Sequence, residues 1–441
     1  EVVTMQIFRL KDYKVIPKLN IEMSSELFKL EQYIVNHSCD IEHWFRTQWQ
    51  EHQAPFYASV DLRNSGFKLA PVDTNLFPGG FNNLCETFIP LSIQAASIAI
   101  EKICPDAKKI LIIPENHTRN TFYLEHLSCL CNILQKAGLE VRFGTINKEI
   151  LEPLNLELEG NKSILIEPIV KKNHGLVVNN IDGSSFRPCA ILLNNDLSVE
   201  IPSILENIDQ TIIPPVHAGW CTRRKTQHFE YYNAVANEFA SFSGIDPWLI
   251  NPYFEKLNGL DFHEHKGEEE LFTKVELLLQ KIKKKYDQYQ IQHEPYVVIK
   301  ADAGTYGMGI MIAKKAEDVL SLNRKKRNKM SVIKEGSKVT EVIIQEGIHT
   351  EETIEGAVTE PVIYMIDHFV IGGFYRVHTT KDKDENLNAP GMHFIPQPFE
   401  TSCLMPDQGR PCDDEANRFY AYGVIARLAL IAAARELEDN S

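Results

Sequence analysis

The 441-residue chain lacks most of the patterns that would place it outside the ordinary globular enzymes. Its nine cysteines are an odd number, with no CxxC and no histidine pair at zinc-finger spacing, so neither a disulfide framework nor a structural zinc site is expected. Free thiols point to a reducing, cytoplasmic setting. The first residues, Glu1-Val-Val-Thr-Met-Gln, have no apolar signal core. The most apolar late stretch, Tyr420 to Ala434, is too short to cross a bilayer and carries Arg427, so it reads as a buried helix. No GxGxxG follows a strand pattern and no GxxxxGK[ST] opens a helix, which excludes the dinucleotide fingerprint and the P-loop. Basic charge is also short: 46 Lys+Arg against 60 Asp+Glu leave a net charge of −14, which disfavours nucleic acid as a partner. The basic run Asn323-Arg-Lys-Lys-Arg-Asn-Lys329 has no aromatic or basic company and reads as a solvated helix end or a mobile lid. No Ser–His or Cys–His arrangement suggests a side-chain nucleophile. There is no membrane case, and nothing fixes an oligomeric state.

What is present is a composition of 44% hydrophobic and 24% charged residues, on a chain long enough for two or three domains. Residues 21–52 look helical. Strands follow at Phe56–Leu62 and Phe67–Val72 around the turn signal Arg63-Asn-Ser-Gly66, then a helix from about Asn83 to Ile103. Buried-strand runs at 109–114, 140–144, 163–167 and 190–194 alternate with helices, the signature of a mainly parallel α/β sheet. From Thr211 the order changes to α+β. Helices are expected at 225–241 and 267–286, and strands at 296–300, 341–345, 362–366 and 370–378.

Three segments carry chemistry. Tyr296-Val-Val-Ile-Lys300 runs into a loop with Gly304, Gly307 and Gly309. Such a loop lets backbone N–H groups approach phosphate oxygens, and Lys300 can neutralise one as a point charge. Val342-Ile-Ile-Gln-Glu346 can present backbone groups to an adenine edge from Gln345 and a carboxylate to a ribose from Glu346. In Ala70-Pro-Val-Asp-Thr-Asn75, Asp73 and Asn75 stand two apart, on one face of a strand and about 7 Å from each other. A carboxylate with an amide oxygen suits a hard cation such as Mg²⁺, with ATP phosphates and water completing the shell.

The order strand–Lys–Gly loop, strand–Gln–Glu, strand–Arg376 resembles the ATP-grasp arrangement, but with the metal motif first. That circular permutation is similar to eukaryotic glutathione synthetase. Ala218-Gly-Trp-Cys-Thr-Arg-Arg-Lys225 resembles the helix start before the central domain of glutathione synthetases, which makes Lys225 a second phosphate contact. Tyr57 through Leu84, with Phe374-Tyr-Arg-Val-His378, resembles the uncommon proteobacterial type of glutamate–cysteine ligase over the whole chain. The resemblance implies ATP and Mg²⁺, with the γ-carboxyl of glutamate activated as an acyl phosphate and displaced by the amine of cysteine. It implies residues 1–80 as N-terminal helices plus metal-motif strands joining an ATP-grasp sheet. Residues 81–210 are then a parallel α/β substrate domain, and 211–441 a nucleotide-binding region with a glycine-rich lid; residues 381–393 are a second lid candidate. Lys225, Lys300 and Arg376 are the expected cations at the γ-phosphate. Asp73 and Asn75 are expected at the metal, completed by Asp61 or Asp302. Asp61 shares a face with Asp73 only if Pro71 marks a bulge. Arg63, Lys68, Asn82 and Asn83 are the expected amino-acid contacts. Another carboxylate–amine ligase, or a non-catalytic nucleotide-binding regulator, remains an open alternative.

Overall fold

The computed structural model describes residues 19–20, 25–116, 119–160, 162–304, 309–322, 327, 328, 330, 339–397 and 418–440. The expected loop residue Gly307 lies outside these, as do most of the basic run and Cys403 and Cys412. Among the described residues, no helix is long and apolar enough to cross a membrane.

Three sheets form the frame. The first is antiparallel and carries, in lateral order, Leu69–Asn75, Tyr57–Asn64, Ala357–Ile366, Phe369–His378 and His393–Pro396. The N-terminal hairpin is thereby completed by strands some 300 positions later. The second sheet has parallel strands Thr211–Ile213, Ala190–Asn194, Lys109–Pro114, Glu140–Thr145 and Lys162–Lys172, extended by antiparallel Leu154–Leu158, Gly175–Asn179 and Ser185–Phe186. Thr211–Ile213, expected to open the following unit, belongs to this sheet instead. The third is a four-stranded antiparallel sheet in the order Phe254–Asn258, Glu341–Glu346, Val297–Ala301, Met311–Ala313.

The hairpin owes its register to one glycine and one proline: Gly66 takes φ 77° in the turn, and Pro71 has no N–H to give the ladder. The register therefore shifts between Asp61 and Leu62, which pair with Asp73 and Pro71. Val72 is the extra, bulged residue. Asp61 and Asp73 become cross-strand neighbours on one face, the arrangement that a bulge at Pro71 was expected to produce.

Behind this hairpin runs the Arg418–Asp439 helix. It is alanine-rich and hydrophobic on all sides, a composition that both favours helix and demands burial. Tyr420 to Ala434 is buried throughout, packed against the hairpin and the Lys225–Ser243 helix. Arg427 reaches Glu42 at 2.7 Å, which makes its charge tolerable there. About two and a half turns on, buried Glu436 accepts from Arg223 Nε (2.8 Å) and Nη2 (3.0 Å) and bonds His228 Nδ1 at 2.9 Å. Arg223 Nη1 donates to Thr74 O at 2.8 Å, and His228 Nε2 lies 2.9 Å from Thr74 Oγ1. The helix thus grips the residue next to Asp73.

Glu436→Gln leaves Arg223 buried without its counter-charge, a loss on the order of 3–5 kcal/mol. A lower urea midpoint checks it, and an unchanged midpoint would remove the network from the fold's main supports. Burial raises the Glu436 carboxyl, but Arg223 and His228 outweigh it and hold it at about 2, below its ordinary 4.5. Its contribution is therefore present above pH 4.5 and lost as pH falls towards 2, so the wild type and the variant converge in acid.

Candidate active site

A cavity of ≈ 500 Å³ opens where the three sheets meet. Its floor is the inner face of the first sheet. Cross-strand rows set Asp73 beside Asp61, and Glu360 beside Arg376. Arg376 Nη1 donates to Asp61 Oδ2 at 2.9 Å and also to Glu360, which accepts from Arg63 Nε at 3.0 Å. Arg376 Nε has no partner. On the far wall stand Val298, Ile312 and Gln345 of the four-stranded sheet, with Ile310 just before its Met311–Ala313 strand, an apolar surface with one amide whose Nε2 is unpaired.

Lys300 joins the two walls. Its Nζ donates to the carbonyl of the bulged Val72 at 2.7 Å. The metal-motif strand and the glycine-loop strand lie in different sheets, yet they meet at this contact. Lys225 Nζ reaches Asp73 Oδ1 at 2.6 Å with its ammonium 4.4 Å from the Trp220 ring. Burial pushes the Asp73 carboxyl up, but Lys225 and Lys300 hold it at about 2. Asp61 differs: burial and the neighbouring Glu360 and Asp73 raise it despite Arg376. Among the described residues, no group of three carboxylates, imidazoles or thiols stands ready to cage a metal.

The expected residues divide. Asp61, Asp73, Asn75, Asn83, Arg63, Lys300, Gln345, Glu346 and Arg376 line the cavity. Asp302 does not. It is fully buried, and its carboxylate accepts from Thr226 N (2.8 Å) and Oγ1 (2.6 Å), so it anchors the start of the Lys225–Ser243 helix instead of a metal. Lys68 is likewise withdrawn from substrate, because its Nζ is buried against Glu346 Oε2 at 2.7 Å. Glu346 in turn accepts from Trp248 Nε1 (3.0 Å) and Tyr253 N (2.9 Å), which leaves its carboxylate unavailable to a ribose. Arg63 lines the cavity, but it is committed to Glu360, Tyr296 and the carbonyls of Ile348 and Glu385. Through Glu385 it ties down the 381–393 segment, of which Asp384, Asn388 and Met392 face the cavity. Asn83 has an unpaired Nδ2; Asn82 is off the lining. Gly304 and Gly309 adopt φ 104° and 62°, and neither lines the cavity. Sequence reading named Glu360 only as an alternative metal acid, and it missed Trp220 and the Glu115 and Asp196 carboxylates on the wall from the parallel sheet.

The sequence model of the glutamate-cysteine ligase family (GshA) matches residues 31–437. The chain belongs to the glutamate-cysteine ligase family. A crystal structure from Methylobacillus flagellatus KT, named as a gamma-glutamylcysteine synthetase, shares 59% identity, covers 97% of this chain and 100% of that one, and superposes with a TM-score of 0.89. Two more distant structures are a glutathione synthetase like-effector (GSS30) from Globodera pallida and D-alanyl-alanine synthetase A from Vibrio cholerae O1 biovar eltor. The first is 11% identical over 83% of this chain and 80% of its own (TM-score 0.37); the second is 10% identical over 73% and 81% (TM-score 0.32). Both are too remote to bear on the site. The comparison with curated proteins finds no match. Membership of the family makes this chain a ligase, an enzyme that must hold two amino acids and a phosphoryl donor in one water-poor space.

Lys300 gives the site a pH signature. Burial lowers its ammonium to about 8, although Asp73 opposes the shift. A charged form that serves a phosphate would make kcat/KM for the phosphoryl donor fall as pH rises through about 8. Lys300→Arg, whose guanidinium stays charged, should move that alkaline limb out of range. A limb at the same pH in the variant would assign it to another group.

Proposed function

We propose that this ligase joins the γ-carboxyl of glutamate to the amine of cysteine through a γ-glutamyl phosphate, in the cavity where the three sheets meet. The observation that carries the reading is the Lys300–Val72 contact, which brings the phosphate lysine to the strand of Asp73. The adenine of ATP lies on the Val298, Ile310 and Ile312 wall, with Gln345 at its edge. Its phosphates run towards Lys300 and Lys225. Glutamate extends from the Asp196 and Glu115 side, whose carboxylates suit its ammonium group, and its γ-carboxylate meets Arg376.

A γ-carboxylate oxygen attacks the γ-phosphorus and ADP leaves. The cysteine amine, entering as the free base, then attacks the acyl carbon and phosphate departs. Arg376, with Nε to spare, steadies the carboxylate and the oxyanion that follows; Lys300 and Lys225 hold charge at the transferring group. Glu360 orients Arg376, and Arg63 orients Glu360. The segment tied down by Arg63 excludes water from the acyl phosphate.

Magnesium fits the donors. Asp61 and Asp73 are hard oxygen ligands placed side by side across the hairpin. Asp61, Asp73 and the Asn75 amide oxygen would hold the ion, with phosphate oxygens and water supplying the rest. When bound it neutralises charge on the phosphoryl group. A cytoplasmic setting, with no nucleic acid or membrane partner, belongs to this reading, and the seven described cysteines are all free.

Glutamate labelled with ¹⁸O in its γ-carboxyl should pass one label to inorganic phosphate during turnover with ATP and cysteine. Unlabelled phosphate would contradict an acyl phosphate. Asp73→Asn should fold and lose roughly 10²–10³ in kcat, several kcal/mol of charge stabilisation. A folded variant within a few-fold of wild type would remove Asp73 from the reaction.

A further inference from the structure

Beyond Arg376 the cavity changes character. The next strand of the first sheet, His393–Pro396, sets Phe394 directly opposite Arg376, so both side chains rise from the same face. Phe374, two residues before Arg376, shares that face at about 7 Å along the strand. The Phe374 and Phe394 rings meet edge to face at 4.9 Å, and Phe122, from the Thr121–Lys136 helix, stacks on Phe394 at 5.7 Å. Met392, two residues before Phe394, also lines the cavity. Phe122, Met392 and Phe394 are half-buried, which leaves their inner surfaces to the cavity.

A small polar ledge adjoins the aromatic box. A side-chain carbon added at Gly80 would lie 3.1 Å from Asn83 Nδ2, 3.2 Å from Tyr364 Oη and 3.5 Å from the Phe374 ring. The Asn83 Nδ2 donor has no partner. Within one short span the cavity therefore offers Arg376, a free amide donor and a three-ring box closed by a thioether.

On the reading of the function given above, we infer that the Phe122–Phe374–Phe394 box, with Met392, seats the thiol of the cysteine substrate and sets the preference for cysteine over serine. Asn83 Nδ2 takes the carboxylate of that cysteine. The dimensions agree. Asp61 stands two strands from Phe374, roughly 10 Å at about 4.8 Å per strand, and Arg376 spans the gap. An acyl phosphate on the Asp61 side leaves its carbonyl carbon near Arg376. The attacking amine is joined to its sulfur by only three bonds, N–Cα, Cα–Cβ and Cβ–Sγ, so the sulfur falls among the rings. The chemistry agrees too. Sulfur is polarisable and packs well against ring edges, whereas a hydroxyl loses its water there and finds no strong acceptor in three rings and a thioether.

Phosphate release is measured with ATP, glutamate and either cysteine, 2-aminobutyrate or serine as the amine. Wild type should rank cysteine first, 2-aminobutyrate next and serine far behind, because a methyl group fits the box and a hydroxyl does not. Phe122→Ala and Phe394→Ala should raise KM for cysteine about five- to tenfold and shrink the cysteine-to-serine ratio of kcat/KM by a similar factor. KM for ATP and glutamate should stay within about twofold. Phe394→Leu, which keeps apolar bulk without a ring, guards against misfolding and should fall between wild type and Phe394→Ala. An unchanged cysteine-to-serine ratio in these variants overturns the box, while an active wild type leaves the ligase reading standing. A wild type that releases no phosphate with glutamate and cysteine overturns that reading, and the box with it.

Discussion

Pro71 cannot complete the hairpin ladder, and the bulge that results at Val72 governs the site. It turns Asp73 onto the face of Asp61 and leaves the Val72 carbonyl outside the ladder, where the Lys300 ammonium takes it. One irregular residue therefore sets the register of the acids and joins two separate sheets across the cavity. Had the hairpin stayed regular, Asp73 would have pointed away from Asp61, because side chains alternate with period two. Arg376 and Lys300 would then have faced a single carboxylate pair instead of a shared floor of opposite charges.

Charges buried so closely persist only when each is paired. Arg376 binds Asp61 and Glu360, Arg63 binds Glu360, and Lys225 binds Asp73. Each pairing holds a side chain in place before substrate arrives, so little rearrangement is needed when phosphate enters. From behind, Glu436 on the buried C-terminal helix fixes Arg223 and His228 against Thr74. The far end of the chain thus supports a motif near its beginning. The hairpin is completed only by strands that follow the glycine loop in sequence.

Local pattern made much of this legible. Asp73 and Asn75 were readable because a strand's period is two, and Lys300 because it ends an apolar strand before a glycine loop. The apolar run Tyr420–Ala434 could only be a buried helix. What sequence could not supply was pairing across distance. Lys68 and Glu346 looked like two ligand contacts, but they neutralise each other across 278 positions. Asp302 looked like a third metal acid, since an acid beside a glycine loop and an acid anchoring a distant helix start read alike. Glu360 carried no motif; its place follows from lying opposite Arg376. The aromatic box draws Phe122 from one sheet's helix and Phe394 from another sheet's edge, a meeting that no spacing rule foresees.

The central claim is that acids from the N-terminal hairpin and a lysine from the four-stranded sheet serve one triphosphate. Iron(II) in place of magnesium, with ATP, peroxide and ascorbate, cuts the backbone close to where the metal sits. The account predicts cuts near Asp61 and Asp73 that depend on nucleotide, since the protein alone offers no ready metal cage, with weaker cuts near Glu360. Cuts confined to the four-stranded sheet, or cuts near Asp73 that are indifferent to ATP, would contradict it.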